Sequence, residues 1–153
     1  MKLISHRGNI NGKHKGFENN PNYIDSAIEQ GYDVEIDVWF ISESFYLGHD
    51  EAQYGITLDW LLERNEKLWV HCKNIDAIEE FKRLELEQKI KSINYFYHQQ
   101  DDVTITSHGY LWKYPGIPQI KNCVSVMPEI HRENVDDCYA VCSDNIIKYN
   151  YKQ

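Results

Sequence analysis

Apolar residues recur along this chain with two periods, which predict alternating strands and helices over its first 90 residues. Val34, Ile36 and Val38 alternate with Glu35 and Asp37, as in a strand whose two faces differ. Elsewhere apolar residues recur with helical spacing directly after an Asn or Thr that can cap a helix. The predicted elements are a strand at 2–6, a helix from 21 closed by Gly31, strands at 33–40 and 45–47, a helix from 58, a strand at 68–73 and a helix from 75 to 84.

Beyond residue 90 the same pattern predicts strands with short connections, at 93–97, 103–106, 111–114, 123–127 and 139–142. The segment Ser107-His108-Gly109 is too short for a crossover between parallel strands. Residues 103–114 therefore form either one bent strand or two strands that are not parallel neighbours. The strand–helix units of the first half favour an α/β protein with a parallel sheet, either open or closed into a small barrel.

Composition limits the classes of function. A length of 153 residues with 42% hydrophobic content predicts one domain spanning 1–153. The formal net charge of −8 disfavours nucleic acid as a partner, because nucleic acid binds to basic surfaces. No apolar run has the length of a membrane helix, and the N-terminus lacks the apolar core of a signal peptide. We therefore expect a cytoplasmic protein without stable membrane insertion, with its cysteines reduced. The oligomeric state is left open.

The clearest chemical feature is the pair of carboxylates at Glu35 and Asp37. Side chains two residues apart in a strand point to the same face, so these two acids are neighbours. Two adjacent carboxylates repel each other unless a cation lies between them, which predicts a site for Mg²⁺ or Ca²⁺. A half-buried strand with a solvated acidic face is the alternative.

Further polar residues collect where the predicted strands end. In a strand–helix protein, ligands bind at the carboxyl ends of the strands, so these side chains are expected to meet. Each has an ordinary structural explanation by itself, and Glu18 is the weakest member because it precedes a helix start. The set comprises His6, Arg7, Glu18, Glu35, Asp37, His49, His71, Lys73 and Asp144.

Four short motifs in this order give the chain a resemblance to a known family. They are His6-Arg7-Gly8, Glu18-Asn19, Glu35-Ile36-Asp37-Val38 and Gly48-His49-Asp50. The sequence over residues 3–50 thus resembles the glycerophosphodiester phosphodiesterases, of the phospholipase-C-like phosphodiesterase superfamily. Weaker similarities follow at two later segments, His71-Cys72-Lys73 and Val141-Cys142-Ser143-Asp144.

The resemblance implies a fold, a reaction and residue roles. The implied fold is a minimal (β/α)8 TIM-type barrel with several outer helices shortened or replaced by loops. The implied reaction is metal-dependent hydrolysis of a small-molecule phosphodiester with a neighbouring hydroxyl, in lipid metabolism. In related phospholipases that hydroxyl attacks first and gives a cyclic phosphate. The implied roles are acid/base catalysis for His6 and His49, phosphate binding for Arg7 and Lys73, metal binding for Glu35 and Asp37, and support for Glu18 and Asp144.

One departure from the family pattern affects the metal. His71 stands where the family has its third carboxylate ligand, and imidazole suits Mn²⁺ or Zn²⁺ better than Mg²⁺ or Ca²⁺. A relative that binds a phosphoryl ligand without turnover is therefore the alternative function. A metal-dependent nuclease is disfavoured by the acidic composition. For His108 and the aromatic run 110–114, the favoured interpretation is an ordinary core strand. The alternative is that they line the mouth of the site.

Overall fold

The computed structural model describes residues 1–152. Ten strands form one sheet, accompanied in these residues by three α-helices and two short 3₁₀ segments. The strands are β1 (Lys2–His6), β2 (Asp33–Ile41), β3 (Ser44–Leu47), β4 (Tyr54–Ile56), β5 (Leu68–Cys72), β6 (Asn94–Tyr97), β7 (Val103–Ile105), β8 (Leu111–Lys113), β9 (Cys123–Val126) and β10 (Ala140–Ser143). The helices are α1 (Pro21–Glu29), α2 (Leu58–Glu63) and α3 (Ile75–Leu86), and the 3₁₀ segments are Pro128–Ile130 and Ile146–Lys152.

The sheet is mixed and strongly curled. Its parallel part has the spatial order β6–β5–β2–β1–β10–β9–β8, while β3, β4 and β7 run antiparallel to their neighbours. The curl brings β6 towards β8. As a result, the ring centroids of Phe96 on β6 and Trp112 on β8 lie only 4.5 Å apart. These two rings, with Ile4, Trp69 and Val124, belong to the apolar cluster inside the curl.

The expected (β/α)8 TIM-type barrel is wrong. The chain forms a curled half-barrel of ten strands with few and short helices. The physical reason lies after residue 90, where no helical period of apolar residues exists to cover the strands with helices. The segment 103–114 resolves into an antiparallel pair, because Thr106 N–H donates to Tyr110 O and reverses the chain between β7 and β8.

The helices confirm the predicted caps and fix the strands that carry the polar residues. Asn20 accepts from Asn22 N–H before α1, and Asn74 accepts from Ala77 N–H before α3. The helices present Ile24 and Phe81 to an outer apolar cluster that includes side chains of β2 and β5. This packing holds the central strands in one register with their carboxyl ends at a common rim.

No helix within residues 1–152 combines the length and the apolar character that crossing a membrane requires. All four cysteines, Cys72, Cys123, Cys138 and Cys142, are free thiols.

Candidate functional site

Strand register brings the predicted site residues together at the rim. His6 on β1 pairs with Glu35 on β2, and Asp37 on β2 pairs with His71 on β5. A cavity of about 580 Å³ opens above them. Of the predicted residues, those that line this cavity are His6, Arg7, Glu35, His49, His71 and Lys73.

Asp37 is fully buried and is surrounded by positive groups. Arg7 Nε lies 2.8 Å from its Oδ2, Lys73 Nζ lies 3.6 Å from its Oδ1, and His71 Nδ1 lies 3.1 Å from the same Oδ1. Asn19 donates to Oδ2 at 2.8 Å and accepts from the Asp37 N–H. Burial would raise the pKa of Asp37, but His71, Arg7 and Lys73 together hold that pKa well below its ordinary value. Asp37 is therefore a carboxylate at neutral pH.

Glu35 is equally buried but much less well paired. Its Oε2 has no hydrogen-bond partner, and the nearest imidazole nitrogens, His6 Nε2 and His71 Nδ1, each lie 3.7 Å from one of its oxygens. Burial raises the pKa of Glu35, and the charge of Asp37 raises it further. A buried carboxyl without a partner is costly, so Glu35 is the group at this rim that most needs a cation.

His71 has one ring nitrogen held by the backbone and one directed at the acids. Its Nε2 lies 2.9 Å from the carbonyl oxygen of His98, which accepts only, so Nε2 carries the hydrogen. The ring also stacks on Phe96, with 3° between the planes. Nδ1 is thus available as a donor to Asp37 or, without its hydrogen, as a ligand.

The donor set fits a divalent cation. One ligand atom from each of Glu35, Asp37 and His71 lies within 4.8 Å of the others. Glu35 Oε2 is buried without a hydrogen-bond partner, which is consistent with a metal ligand, whereas Asp37 Oδ1 already lies 3.1 Å from His71 Nδ1. A metal-bound histidine ordinarily donates its other N–H to a carbonyl or carboxylate, which is the arrangement of His71 and His98.

His6 is oriented by a carboxylate, as expected of an acid/base residue. Its Nδ1 lies 2.7 Å from Asp144 Oδ1, and Asn9 donates to the same oxygen. Burial would raise the pKa of Asp144, but its hydrogen bonds with His6 and Asn9 hold that pKa below its ordinary value. Asp144 therefore stays ionised, fixes the hydrogen of His6 on Nδ1, and leaves Nε2 free beside Glu35.

His49 lies at the mouth of the cavity and is 41% exposed. Its Nδ1 contacts Asp50 Oδ1 at 2.7 Å. Partial burial, followed by the charge of Arg7, lowers the pKa of His49. The imidazole is consequently mostly neutral at pH 7, and any proton that it carries is readily given up.

A second cavity of about 430 Å³ adjoins the first. Arg7 and His49 line both cavities, and Lys13 and Lys15 add positive charge to the second. Glu18 also lines it, 3.5 Å from Arg7 NH1, and accepts from Asn9 Nδ2 at 3.0 Å. Glu18 thus lies beside Arg7 in the second cavity, which Asp50 and Glu51 also line, and it does not line the larger cavity above the acidic pair.

The structure adds three site residues that sequence reasoning missed. Asn9 joins Glu18 to Asp144, Asn19 anchors Asp37, and His98 lines the larger cavity. The sequence offered a clue to two of them: Asn19 belongs to the motif Glu18-Asn19, and His98 follows the strand β6 at the same rim as the other histidines. For Asn9 the sequence offers none.

The aromatic run divides between core and cavity. Trp112 packs inside the curl and also reaches the cavity wall, where the half-exposed Tyr114 joins it. His108 lies elsewhere, in a separate cavity beside Asp33. The aromatic run thus contributes to the mouth of the site, whereas His108 does not.

The chain was compared with known proteins in three ways. No protein-family model matches it, no curated protein matches it, and no solved structure matches it.

Proposed function

We propose that this protein is a metal-dependent phosphodiester hydrolase of the glycerophosphodiester phosphodiesterase type, acting on a small phosphodiester with a neighbouring hydroxyl. The observation that carries the proposal is the pair of cavities that share Arg7 and His49. A phosphodiester has two arms on one central anion. A phosphate at the shared wall would meet a fixed cation and an imidazole there, with one cavity for each arm.

The acidic rim would hold the cofactor. Glu35, Asp37 and His71 Nδ1 are the residues that would bind a divalent ion, and the two carboxylates admit Mg²⁺ or Ca²⁺ while the imidazole favours Mn²⁺ or Zn²⁺. When bound, such an ion neutralises charge that builds on the phosphate oxygens.

The histidines divide the proton transfers between them. Asp144 holds the hydrogen of His6 on Nδ1, so Nε2 takes the proton from the attacking hydroxyl of the substrate. His49 gives a proton to the leaving oxygen, a role that suits an imidazolium whose pKa is lowered. Arg7 and Lys73 bind the phosphate oxygens and keep the anion between the two rings. The product of the first step is a cyclic phosphate.

A relative that binds a phosphoryl ligand without turnover is the second candidate. Asp37 already faces Arg7, Lys73 and His71, so its charge is balanced by the protein itself. His49, in turn, points to an exposed partner, Asp50, whose side chain is 85% exposed. A site of this kind could hold an anion without performing chemistry on it.

Phosphorus NMR separates the two candidates. Glycerophosphocholine and glycerophosphoinositol are incubated with the protein and each of Mg²⁺, Ca²⁺, Mn²⁺ and Zn²⁺, and the diester signal is followed. Hydrolysis is expected with at least one metal and is expected to vanish in His6→Ala. His108→Ala is the matched control, because His108 lies in another cavity. A diester that stays intact with every metal, yet shifts or broadens on binding, would support the binding protein instead.

The proposal includes a location and a pathway. The four free thiols are consistent with a cytoplasmic location, and the proposed substrate class is consistent with a role in lipid-headgroup metabolism.

A further inference from the structure

Two of the four free cysteines lie side by side on the outer face of the sheet. The Sγ atoms of Cys123 and Cys138 are 4.0 Å apart, and either thiol can donate its hydrogen to the other. Val124 packs inside the curl, so the alternation of β9 places the neighbouring Cys123 on the opposite face. Cys123 is buried, whereas Cys138 is partly exposed. Neither residue lines the two cavities of the candidate site, and the proposed reaction gives them no role.

Backbone hydrogen bonds fix the spacing of the two cysteines. Tyr139 N–H donates to Cys123 O at 2.9 Å, and Asn122 N–H donates to Asp137 O at 2.8 Å. These two bonds continue the parallel pairing of β9 with β10. Adjacent strands lie about 4.8 Å apart, which is within the range of about 4.4–6.8 Å between Cα atoms that a disulfide bridges. Rotation of the two side chains is therefore enough to bring the sulfurs into bonding distance.

The pair is also able to carry a negative charge. The hydrogen bond with Cys138 and, to a smaller extent, the charge of Lys113 outweigh burial and lower the pKa of Cys123 to about 7. Because either sulfur can hold the remaining hydrogen, this titration belongs to the pair. Gln119 Nε2 donates to Cys138 Sγ at 4.0 Å, so the partly exposed sulfur can carry the charge. The thiolate is the reactive form of cysteine, and here one can be presented to solvent.

We propose that Cys123 and Cys138 form a reversible modification site, at which a hydroperoxide oxidises the two thiols to a disulfide. This inference is independent of the proposed function. It is compatible with a cytoplasmic protein, because disulfides that form in the cytosol are usually transient ones that respond to the redox state.

The oxidation proceeds in two steps that balance. The Cys138 thiolate attacks one oxygen of hydrogen peroxide, the O–O bond breaks, and the hydroxide released takes up a proton from solvent to give water. The Cys123 thiol then attacks the sulfur of the sulfenic acid, the S–O bond breaks, and the departing hydroxide leaves as water with the thiol hydrogen. The two sulfurs lose two electrons and the peroxide gains them. A small thiol reverses the change by disulfide exchange.

The disulfide closes the segment between the two cysteines into a ring. They are 15 positions apart, and a cross-link of this span stabilises a protein by restricting its unfolded chain. The ring contains Met127 and Ile130, which line the larger cavity. Oxidation is therefore expected to restrain one wall of that cavity and to raise Tm by roughly 5–10 °C.

The test begins with protein that has been reduced with dithiothreitol and desalted into EDTA. After exposure to hydrogen peroxide, the remaining thiols are alkylated under denaturing conditions and counted by mass spectrometry. We expect the count to fall from four to two and to return to four after dithiothreitol. Digestion with trypsin and chymotrypsin, which cuts after Tyr139 and so separates Cys138 from Cys142, should give a peptide of 122–132 linked to one of 133–139.

Two variants provide the controls. Cys138→Ser should keep all three of its thiols. Cys142→Ala, which removes a fully buried thiol, should still fall from three to one. Four remaining thiols in the natural protein, a bond that involves Cys142, or oxidation to sulfinic acid without a disulfide would overturn the proposal. So would an oxidised form with a lower Tm, because it would show that the backbone does not hold the two cysteines ready for a disulfide.

Discussion

We expect the replacement of Glu35 by glutamine to have opposite effects on stability with and without metal. Gln has nearly the same shape but no charge, so Glu35→Gln removes a buried carboxylate whose Oε2 has no hydrogen-bond partner. In the metal-free protein we expect this variant to be more stable than the natural protein at neutral pH. Gln keeps a polar group at this position and removes its unpaired charge, for which the expected gain is about 1–3 kcal/mol. For a chain of this size it corresponds to a rise in Tm of roughly 2–12 °C.

The pH dependence has a definite sign. Burial raises the folded pKa of Glu35 above its ordinary value of 4.5, so the folded state holds this proton more tightly than the unfolded chain. Metal-free stability therefore falls as pH rises from 4.5 to the folded pKa. Glu35→Gln lacks this titration, so its advantage in Tm is expected to grow across that window and to be complete above the folded pKa.

We expect bound metal to reverse the order of stability of the natural protein and Glu35→Gln. At a metal concentration about 100 times Kd, binding stabilises a protein by about 2.7 kcal/mol. The natural protein is expected to gain most of this and Glu35→Gln little, because the variant lacks one carboxylate ligand. Thermal unfolding followed by circular dichroism, with EDTA and then with Mn²⁺, measures both effects. A variant that is less stable than the natural protein in EDTA would show that Glu35 is not an unpaired buried carboxylate, and one that Mn²⁺ stabilises equally would show that Glu35 is not a metal ligand.

Four further predictions concern the site and the core. His49→Ala should lower kcat at least about 100-fold with an unchanged circular dichroism spectrum, because it removes the acid; activity near that of the natural protein would exclude this role. Asp144→Asn should lower kcat about 100-fold with little change in KM, because His6 loses its orienting carboxylate; a change confined to KM would contradict this. His71→Glu should raise affinity for Mg²⁺ relative to Mn²⁺ about tenfold in calorimetric titrations, since carboxylate suits hard cations, and unchanged selectivity would show that His71 is not a ligand. Lys113→Met should lower the free energy of unfolding by about 3 kcal/mol in urea, because it leaves Glu133 without the buried ammonium that lies 2.5 Å away. Metal affinity should not change. A loss below about 1 kcal/mol would show that this ion pair contributes no more than an exposed one.

Local signals predicted the first half of the fold well. The alternation from Val34 to Val38 and the caps at Asn20 and Asn74 depend on neighbouring residues alone, so they can be read without the structure. Since carboxyl ends of parallel strands meet at one rim, the approach of His6, Glu35 and the residues of β5 followed from the same pattern.

The second half depended on interactions that a local pattern does not contain. Short strands such as β7 and β8 have no period that distinguishes parallel from antiparallel pairing, and their partners are set by the curl of the whole sheet. The expectation of a minimal (β/α)8 barrel with shortened outer helices came from the resemblance of residues 3–50 and was extended over segments whose strands pair as a mixed, curled sheet. Asn9 was missed because its role depends on two acids distant in sequence, Glu18 and Asp144.

The central claim is that one divalent ion binds between the two acids of β2 and the histidine of β5. Its most direct test is an anomalous difference map from a crystal soaked in Mn²⁺. We expect a single strong peak within bonding distance of Glu35, Asp37 and His71 Nδ1, and no such peak in a crystal of Glu35→Gln soaked in the same way. A map without a peak at this rim, or a peak that His71 does not contact, would rule out a metal site made of these three residues.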